Sequence, residues 1–462
     1  MTGAFSPELF AGRRFAVVGL GRNGLPAAQA LTAMSADVFA WVDRADARAA
    51  AAAAGVPVRD PLRERFDFDA LVLSPGIPHR LPQPHAIAFR ARRAGVPIFS
   101  DAELLFQAVR AAGSKARFVG VTGTNGKSTT TALLAHVLQT AGEIVAAGGN
   151  LGPAALALPL LPDGGIYVLE MSSYMLERIA TLRFDVATML NLSPDHLDRH
   201  GDMAGYVAAK RAIFARQGAA DFAVIGVDDA DSREMARWRR GSPGRLATVT
   251  GYPHPAPVPL THEGAQCLPL EGGDWARNSP ALPGPHNAQN AAAVVAMARA
   301  LGVADDAIGR GIASFPGLPH RQQNVGAVDG IDFVDDSKAT NADAAARALG
   351  CYDRVVWIAG GVAKAGGIAE LAPCFPRVVH AVLIGQDAPA LASTLAAHDI
   401  PHECARTLEA AVPAALAAAR REGVRTVLLS PACASFDQFS GFEARGERFA
   451  ELVAALGRRS AA

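Results

Sequence analysis

Gly123, Gly126, Lys127, Ser128 and Thr129 fall within FVGVTGTNGKSTTT (118–131), after an apolar run and before a stretch of helix-forming residues, with Thr124 and Asn125 completing the loop. Glycines at such a turn permit positive φ and let backbone N–H groups approach an anion closely. The positive end of the following helix and the charge on Lys127 strengthen that attraction. Ser128 or Thr129 can offer a hydroxyl to Mg²⁺. The spacing is not the strict Walker A form, because Val121 stands five residues before Gly126. A glycine-rich turn with a solvated lysine is the plain alternative. Strand, glycines, Lys-Ser and helix in this order predict a nucleoside triphosphate site over residues 123–129.

Further groups able to do chemistry follow strands. Glu170 ends GIYVLE (165–170), where a carboxylate can hold Mg²⁺ directly or through water; an N-cap or a surface acid is the alternative. NLSPDHLDRHG (191–201) gathers Asp195, His196, Asp198 and His200, a set suited to metal binding or proton transfer. Zinc is disfavoured there, since no cysteine is near and the partners are oxygen-rich. In DMAGYVAAKRAIFAR, Asp202 can cap a helix whose one face carries Met203, Tyr206, Val207, Lys210, Ile213 and Phe214. Lys210 either snorkels to the rim of that face, or is desolvated, which leaves more neutral amine, able to add CO₂. Asn287 and Asn290 stand at a helix start, as caps or as partners for an adenine edge. Arg321 in GLPHR is a candidate phosphate fork.

The later part of the chain repeats an apolar strand followed at once by polar or glycine-rich residues. Asp336, Ser337, Lys338, Thr340 and Asn341 follow one such strand, Lys364 follows Gly360-Gly361, and Ser435 and Phe442 follow the strand at 425–430. Basic groups and hydroxyls at strand ends suit capture of a small dicarboxylate or a transferring phosphate; solvated loop residues are the alternative.

Such residues need sheets to position them. RRFAVVGLGRNG places Gly19, Gly21 and Gly24 in a GxGxxG turn, followed by a helical stretch (25–34) and the strand VFAWVD ending at Asp43. That spacing fits a ribose-binding acid in a Rossmann unit. ALVLSPGIP (70–78) adds a turn, Ser74 to Ile77, suited to phosphate or sugar. Glycines used only for helix–strand packing are the alternative. Alternating strands and helices predict an α/β protein of three domains. These are a Rossmann-like nucleotide-binding domain over 1–113, a central P-loop ATPase-like domain with a mainly parallel sheet over 114–318, and a C-terminal Rossmann-like domain over 319–462. Residues 241–285 are rich in Pro and Gly and predict short strands and loops.

At 462 residues the chain exceeds one ordinary core, and half of it is hydrophobic against 19% charged, as in a globular protein. Lys+Arg and Asp+Glu balance at 44 each, which removes bulk attraction to nucleic acid or membrane. Five cysteines (267, 351, 374, 404, 433) without paired or metal-like spacing fit reduced thiols. The N-terminus lacks the apolar core of a signal peptide and apolar runs stop short of a membrane span, so a cytoplasmic location is expected.

GTNGKST, LEMSSYMLE, NLSPDHLDRH, AAKRAIF, GPHNAQNA, PHR, DDSKATN and SPACASFDQFSGFEARGERF, in this order over essentially the whole chain, resemble the Mur ligase family. The last two, with GLGRNG and SPGIP, are similar to the branch that joins D-glutamate to UDP-N-acetylmuramoyl-L-alanine. The resemblance implies a cytoplasmic step of peptidoglycan precursor synthesis. ATP phosphorylates the substrate carboxylate, the amine of D-glutamate attacks the acyl phosphate, and ADP and phosphate leave. Phosphorylation supplies the leaving group that a carboxylate lacks, and cations offset the accumulating negative charge.

Carried over by motif, the resemblance implies that Gly123, Thr124, Asn125, Gly126, Lys127, Ser128 and Thr129 hold the ATP phosphates, with Asn287, Arg321 and Asp336 also on ATP. Ser128 with Glu170 would bind one Mg²⁺, and His196 with a carbamylated Lys210 a second. Lys127, His196, Lys210 and Lys338 would be catalytic, Lys338 approaching the reacting phosphate. Thr340, Lys364, Ser435 and Phe442 would line the D-glutamate pocket. Arg22, Asn23, Asp43, Arg44, Ser74, Pro75, Gly76 and Ile77 would hold the UDP part, with Asn150 and Ser172 facing the muramoyl-alanine. The implied partners are these small molecules, with no nucleic acid, no membrane and a monomeric chain. Two departures stand out: Ala363 precedes Lys364 where many relatives have Asp or Gly, and Asn23 stands where Ser or Thr is frequent. A family ligase that adds another amino acid, or that extends folate with glutamate, is the nearest alternative. A dehydrogenase built on GLGRNG and Asp43 leaves the downstream motifs unexplained.

Overall fold

The apolar runs become strands of open, largely parallel sheets. The computed structural model describes residues 2–253, 258–259, 266–267, 269–277, 279–364 and 366–460. The first sheet sets Asp37–Trp41, Arg14–Val18, Ala70–Leu73 and Ile98–Phe99 side by side, all parallel. The second has seven parallel strands in the order Leu270–Glu271, Arg245–Thr250, Phe222–Gly226, Val186–Met189, Arg117–Thr122, Ile166–Glu170 and Val145–Gly149. In the third, Gln323–Val328 pairs antiparallel with Ile331–Asp335, followed in parallel by Thr426–Leu429, Val355–Gly360, Val378–Ile384 and His402–Arg406. The predicted α/β architecture with parallel sheets is the one observed.

Parallel strands are covered on both faces, so alternate residues enter different cores. Phe15 and Val17 pack with Leu31, whereas Ala16 and Val18 pack with Ile87 and Ala91. Trp357 and Ala359 face one core of the third sheet, Val356 and Ile358 the other. The chain divides into two compact units, Met1–Asn278 with Asn287–Phe315, and Ser279–His286 with Pro316–Ala462. The first unit contains the four- and seven-stranded sheets and the second the six-stranded one.

The helix whose start was expected at Asn287 and Asn290 spans Pro285–Ala300. Proline suits a first helical position because its missing N–H would have no helical acceptor there. Within 241–285 the structure has the strands Arg245–Thr250 and Leu270–Glu271, the antiparallel pair Val258–Pro259 with Gln266–Cys267, and the short helix Gly273–Ala276. Residues 254–257, 260–265, 268 and 278 lie outside the described residues, as does the side chain of Cys267. Cys351, Cys374, Cys404 and Cys433 are free thiols. No helix among the described residues is long and apolar enough to cross a membrane.

A buried carboxylate joins the two sheets of the first unit. Glu103, on the helix Asp101–Ala111, accepts the N–H groups of Ala180 (2.8 Å), Thr181 (2.9 Å) and Leu182 (2.9 Å), the Gln107 amide (2.9 Å) and the Thr181 hydroxyl. Burial works against its charge, but the donors from Thr181, Gln107, Leu182 and Ala180 outweigh it and hold the carboxyl below the usual glutamate range. The folded-state pKa is depressed, so the stabilisation is complete above about pH 4.5 and is lost as pH falls through the depressed value. Glu103→Ala strands these donors and is expected to destabilise the chain by about 3 kcal/mol at pH 7. The gap in melting temperature to the wild type should shrink below pH 4.5. A gap independent of pH between 7 and 3 would contradict this.

Candidate active site

The strand Arg117–Thr122 passes into the helix Lys127–Thr140 through the glycine loop. Gly126 is the helix N-cap at φ 82°, a left-handed conformation that suits glycine. A Cβ there would stand 2.4 Å from Asn290 Oδ1. The loop is therefore packed against the helix Pro285–Ala300, where Asn290 Nδ2 donates to Asn287 Oδ1 (3.0 Å). Asn191 pins Asn125, accepting its N–H (2.8 Å) and donating to its carbonyl (3.2 Å). Thr124 Oγ1 shares a hydrogen bond with the Tyr206 hydroxyl (3.0 Å). Lys127 Nζ curls back to donate to the carbonyls of Gly123 (3.0 Å) and Thr124 (2.8 Å). A phosphate chain entering this loop meets a positive charge already in place.

Asp202 caps the helix Met203–Arg211 by accepting the Gly205 N–H (2.8 Å), as its position predicted. Lys210 on that helix is 2% exposed, which rules out snorkelling. Its Nζ donates to the Gly123 carbonyl (2.8 Å) and to Thr122 Oγ1 (3.3 Å), and lies 4.8 Å from the Tyr206 ring centre. Burial first, and then the charge of Lys127, hold its ammonium well below the usual lysine range. Two lysine amines thus converge on one carbonyl, that of Gly123.

Glu170 ends its strand 1% exposed. Oε1 accepts the Asn150 side-chain amide (2.6 Å), while Oε2 is buried and receives no hydrogen bond. A buried polar atom left so is worth about 1–3 kcal/mol of destabilisation, which a divalent cation at that oxygen would relieve. The carboxylate and hydroxyl donors around the loop suit a hard ion such as Mg²⁺.

His196 stands at φ 54° before the single turn Leu197–His200, half exposed, with Nε2 3.4 Å from Asp195 Oδ2. His200 does not join it. Its buried ring places Nδ1 3.2 Å from Glu177 Oε1 and Nε2 3.0 Å from Ser173 Oγ. The four-group cluster expected in 191–201 is therefore split: the helical turn sends His200 inward against Tyr174 and Tyr206, while Asp198 stays exposed. Among the described residues no group of three or more His, Cys, Asp or Glu is arranged to hold a metal ion, so an ion site here needs donors of other kinds.

In the first sheet, a Cβ on Gly21 would meet nothing within 4 Å. Packing does not require this glycine, whereas close approach of a ligand to the backbone would. Asn23 donates its side-chain amide to the Gly149 carbonyl (3.2 Å), beside Asn150. Ser74 Oγ donates to the Gly19 carbonyl (2.6 Å), closing the two turns on each other. Arg44 is paired with Asp46, and the exposed Asp43 lies 3.9 Å from His85 Nε2. Arg22 is exposed and Ser172 caps the short helix Ser173–Leu176.

In the second unit Asp336 is buried, its Oδ2 accepting the Ser430 hydroxyl (2.8 Å) and its Oδ1 the Gln322 N–H (3.2 Å). Burial pushes its carboxyl up to about 7, with the hydrogen bonds and the Arg321 charge pulling the other way. Lys338 Nζ sits 3.8 Å from the Phe442 ring centre, which brings two of the expected site residues together. Thr340 N–H donates to the Lys338 carbonyl (2.8 Å), Ser435 is buried, and Lys364 is exposed on its loop.

Sequence reasoning missed Arg445, which is 1% exposed and donates to Ser337 Oγ (2.9 Å), the Ser337 carbonyl (2.9 Å) and the Cys433 carbonyl (3.1 Å). It bolts the loop carrying Asp336 and Lys338 to the loop carrying Ser435. Its spacing from Phe442, Phe449 and Val453 in the helix Phe442–Ser460 was a usable signal, since that register is the apolar face. His320, whose Nδ1 lies 2.7 Å from Asp335 Oδ2, was also missed. Hydrogen bonding to that carboxylate raises its pKa.

Residues 121–298 match the Mur ligase middle domain, and residues 320–433 the Mur ligase, glutamate ligase domain. The chain is 49% identical to the UDP-N-acetylmuramoylalanine–D-glutamate ligase of Paramagnetospirillum magneticum, over 99% of this chain and 100% of that one. It is 46% identical to the protein of the same name from Caulobacter sp. (strain K31), over 98% of each. The crystal structure of UDP-N-acetylmuramate–alanine ligase from Thermotoga maritima aligns with a TM-score of 0.54 at 20% identity, covering 96% of this chain and 99% of that one, a likeness of fold alone. With nearly half its positions identical to curated relatives along the full length, the chain belongs to the Mur ligase family.

Proposed function

We propose that this chain is an ATP-dependent ligase that joins D-glutamate to UDP-N-acetylmuramoyl-L-alanine in peptidoglycan precursor synthesis. One observation carries the reading: Lys127 and the buried Lys210 meet on the Gly123 carbonyl inside a phosphate loop, in a chain so similar to ligases of that name. Residues 1–113 are assigned to the UDP-substrate, 114–318 to ATP and 319–462 to the amino acid.

Lys127 and the loop amides hold the ATP phosphates and neutralise the phosphoryl group in transfer. The neutral amine of Lys210 adds CO₂ with loss of a proton, which makes it a carboxylate-like ligand. Ser128 with Glu170 would hold one Mg²⁺ and His196 with carbamylated Lys210 a second; bound there, the ions offset negative charge on phosphate and acyl oxygens. Asn150 orients Glu170 through the amide hydrogen bond and, with Ser172, faces the muramoyl-alanine. Asn287, Arg321 and Asp336 contact ATP. Lys338 reaches the acyl phosphate, and Thr340, Lys364, Ser435 and Phe442 bind D-glutamate. Attack of the glutamate amine on the activated carbonyl forms the C–N bond and expels phosphate.

The decisive measurement is phosphate release with UDP-N-acetylmuramoyl-L-alanine, D-glutamate, ATP and Mg²⁺, with one component omitted in turn. Release that needs all four is expected. ADP formation with L-glutamate or diaminopimelate, but not with D-glutamate, would reject the assignment of the amino acid.

A further inference from the structure

The turn assigned to the UDP part follows the strand Ala70–Leu73, and arginines from another segment take each of its carbonyls from Leu73 to Ile77. Arg178 Nη1 donates to Leu73 (2.7 Å) and Ser74 (3.0 Å), and its Nη2 to Ile77 (2.6 Å). Arg199 Nη1 donates to Gly76 (3.0 Å), and its Nη2 to Pro75 (3.4 Å) and Ile77 (3.3 Å). Five carbonyl oxygens in one turn would repel a phosphate if they faced it. Here they are turned onto donors, and two positive charges stand behind them.

The arrangement is costly for a merely structural turn. Arg178 is 2% exposed, and burial brings its guanidinium down to about 10. Glu177 beside it bridges toward His79 Nδ1 (3.8 Å) and His200 Nδ1 (3.2 Å). Arg199 also lies 4.4 Å over the Tyr174 ring, and the rings of His196 and His200 pack on Tyr174 at 4.9 and 5.6 Å. One guanidinium therefore touches the donor turn and the aromatic side chain that supports His196.

We propose that Arg178 and Arg199 are positioning residues for the donor substrate: they clamp the 73–77 turn by its carbonyls, set it to receive a nucleoside diphosphate sugar, and tie it through Tyr174 to the His196 loop. The proposal rests on the reading of Ser74 to Ile77 as part of the UDP-substrate site. The fork geometry matters as much as the charge, because each guanidinium reaches carbonyls of different residues with two nitrogens, which an ammonium cannot reproduce.

The test uses the full chain with UDP as the probe in calorimetry, beside steady-state kinetics. Arg199→Lys keeps the charge but loses the fork, and is expected to raise the Kd for UDP and the KM for the UDP-substrate about tenfold. Arg199→Gln should raise both about a hundredfold, with the KM values for ATP and D-glutamate within about twofold of wild type. Tyr174→Leu keeps the carbonyl bonds and removes the stack, so it should lower kcat about tenfold while the Kd for UDP stays within about twofold. Arg178→Met repeats the Arg199→Gln result if it folds; if it does not, the two Arg199 variants decide. Unchanged UDP affinity in both Arg199 variants, or an equal rise in the ATP KM, overturns the clamp, and an unchanged kcat in Tyr174→Leu removes the tie. Wild-type chain that binds UDP without ligase activity would reject the proposed reaction and leave the clamp to be judged by calorimetry. Wild-type chain that binds no UDP sinks both.

Discussion

Lys210→Ala is expected to lower turnover by about a thousandfold, and millimolar formate or acetate should restore part of it. Burial sets this up: Lys210 is 2% exposed, and that burial, with the charge of Lys127, holds its ammonium well below the usual lysine range, which favours the neutral amine that can add CO₂. Removing it would delete the proposed carbamate ligand, yet the Gly123 carbonyl keeps Lys127 as a donor, so the loop should survive. Retained melting temperature with lost activity is the expected pair. Rescue by a small carboxylate distinguishes a lost negative ligand from a lost positive charge, since an ammonium or guanidinium salt should not substitute. Wild-type-like turnover in Lys210→Ala would remove the carbamate from the reaction, and a loss that no carboxylate repairs would favour an ordinary lysine role.

Glu170→Gln should be nearly as damaging, lowering kcat about a hundredfold and raising the Mg²⁺ concentration needed for half-maximal rate. The substitution is isosteric. The side-chain carbonyl can still accept the Asn150 amide that now reaches Oε1, and the buried Oε2 is replaced by an amide nitrogen that cannot coordinate a cation. A structural carboxylate would lose stability without shifting the Mg²⁺ dependence. Titration of activity against Mg²⁺ separates the two, and a half-saturation point within about twofold of wild type would refute the metal role.

Much of the site was legible because its signals are local. The loop glycines, Lys127 and the helix after them follow one another in the chain, and they fold as such. Asp202 announced a helix start and caps it. Strand ends at Glu170 and Asp335 were marked by apolar runs that break into charge. Closeness in the chain misled at 191–201. His200 shares a loop with His196 but turns inward onto Glu177, because a four-residue helical turn separates neighbours that sequence proximity groups together.

Taken alone, the order of residues determined the α/β class, the strand–loop–helix cradle and which side chains carry charge at strand ends, since each depends on contacts within a few residues. Only the tertiary structure decided the state and partners of those charges. Lys210 was open to either reading until its amine was found against a carbonyl 87 residues away, and Arg178 drew no notice until it was seen holding a turn 105 residues distant. The reason is physical: a side chain's charge state and hydrogen bonds are set by desolvation and by whatever donors and acceptors the fold packs around it, and chain neighbours do not encode either.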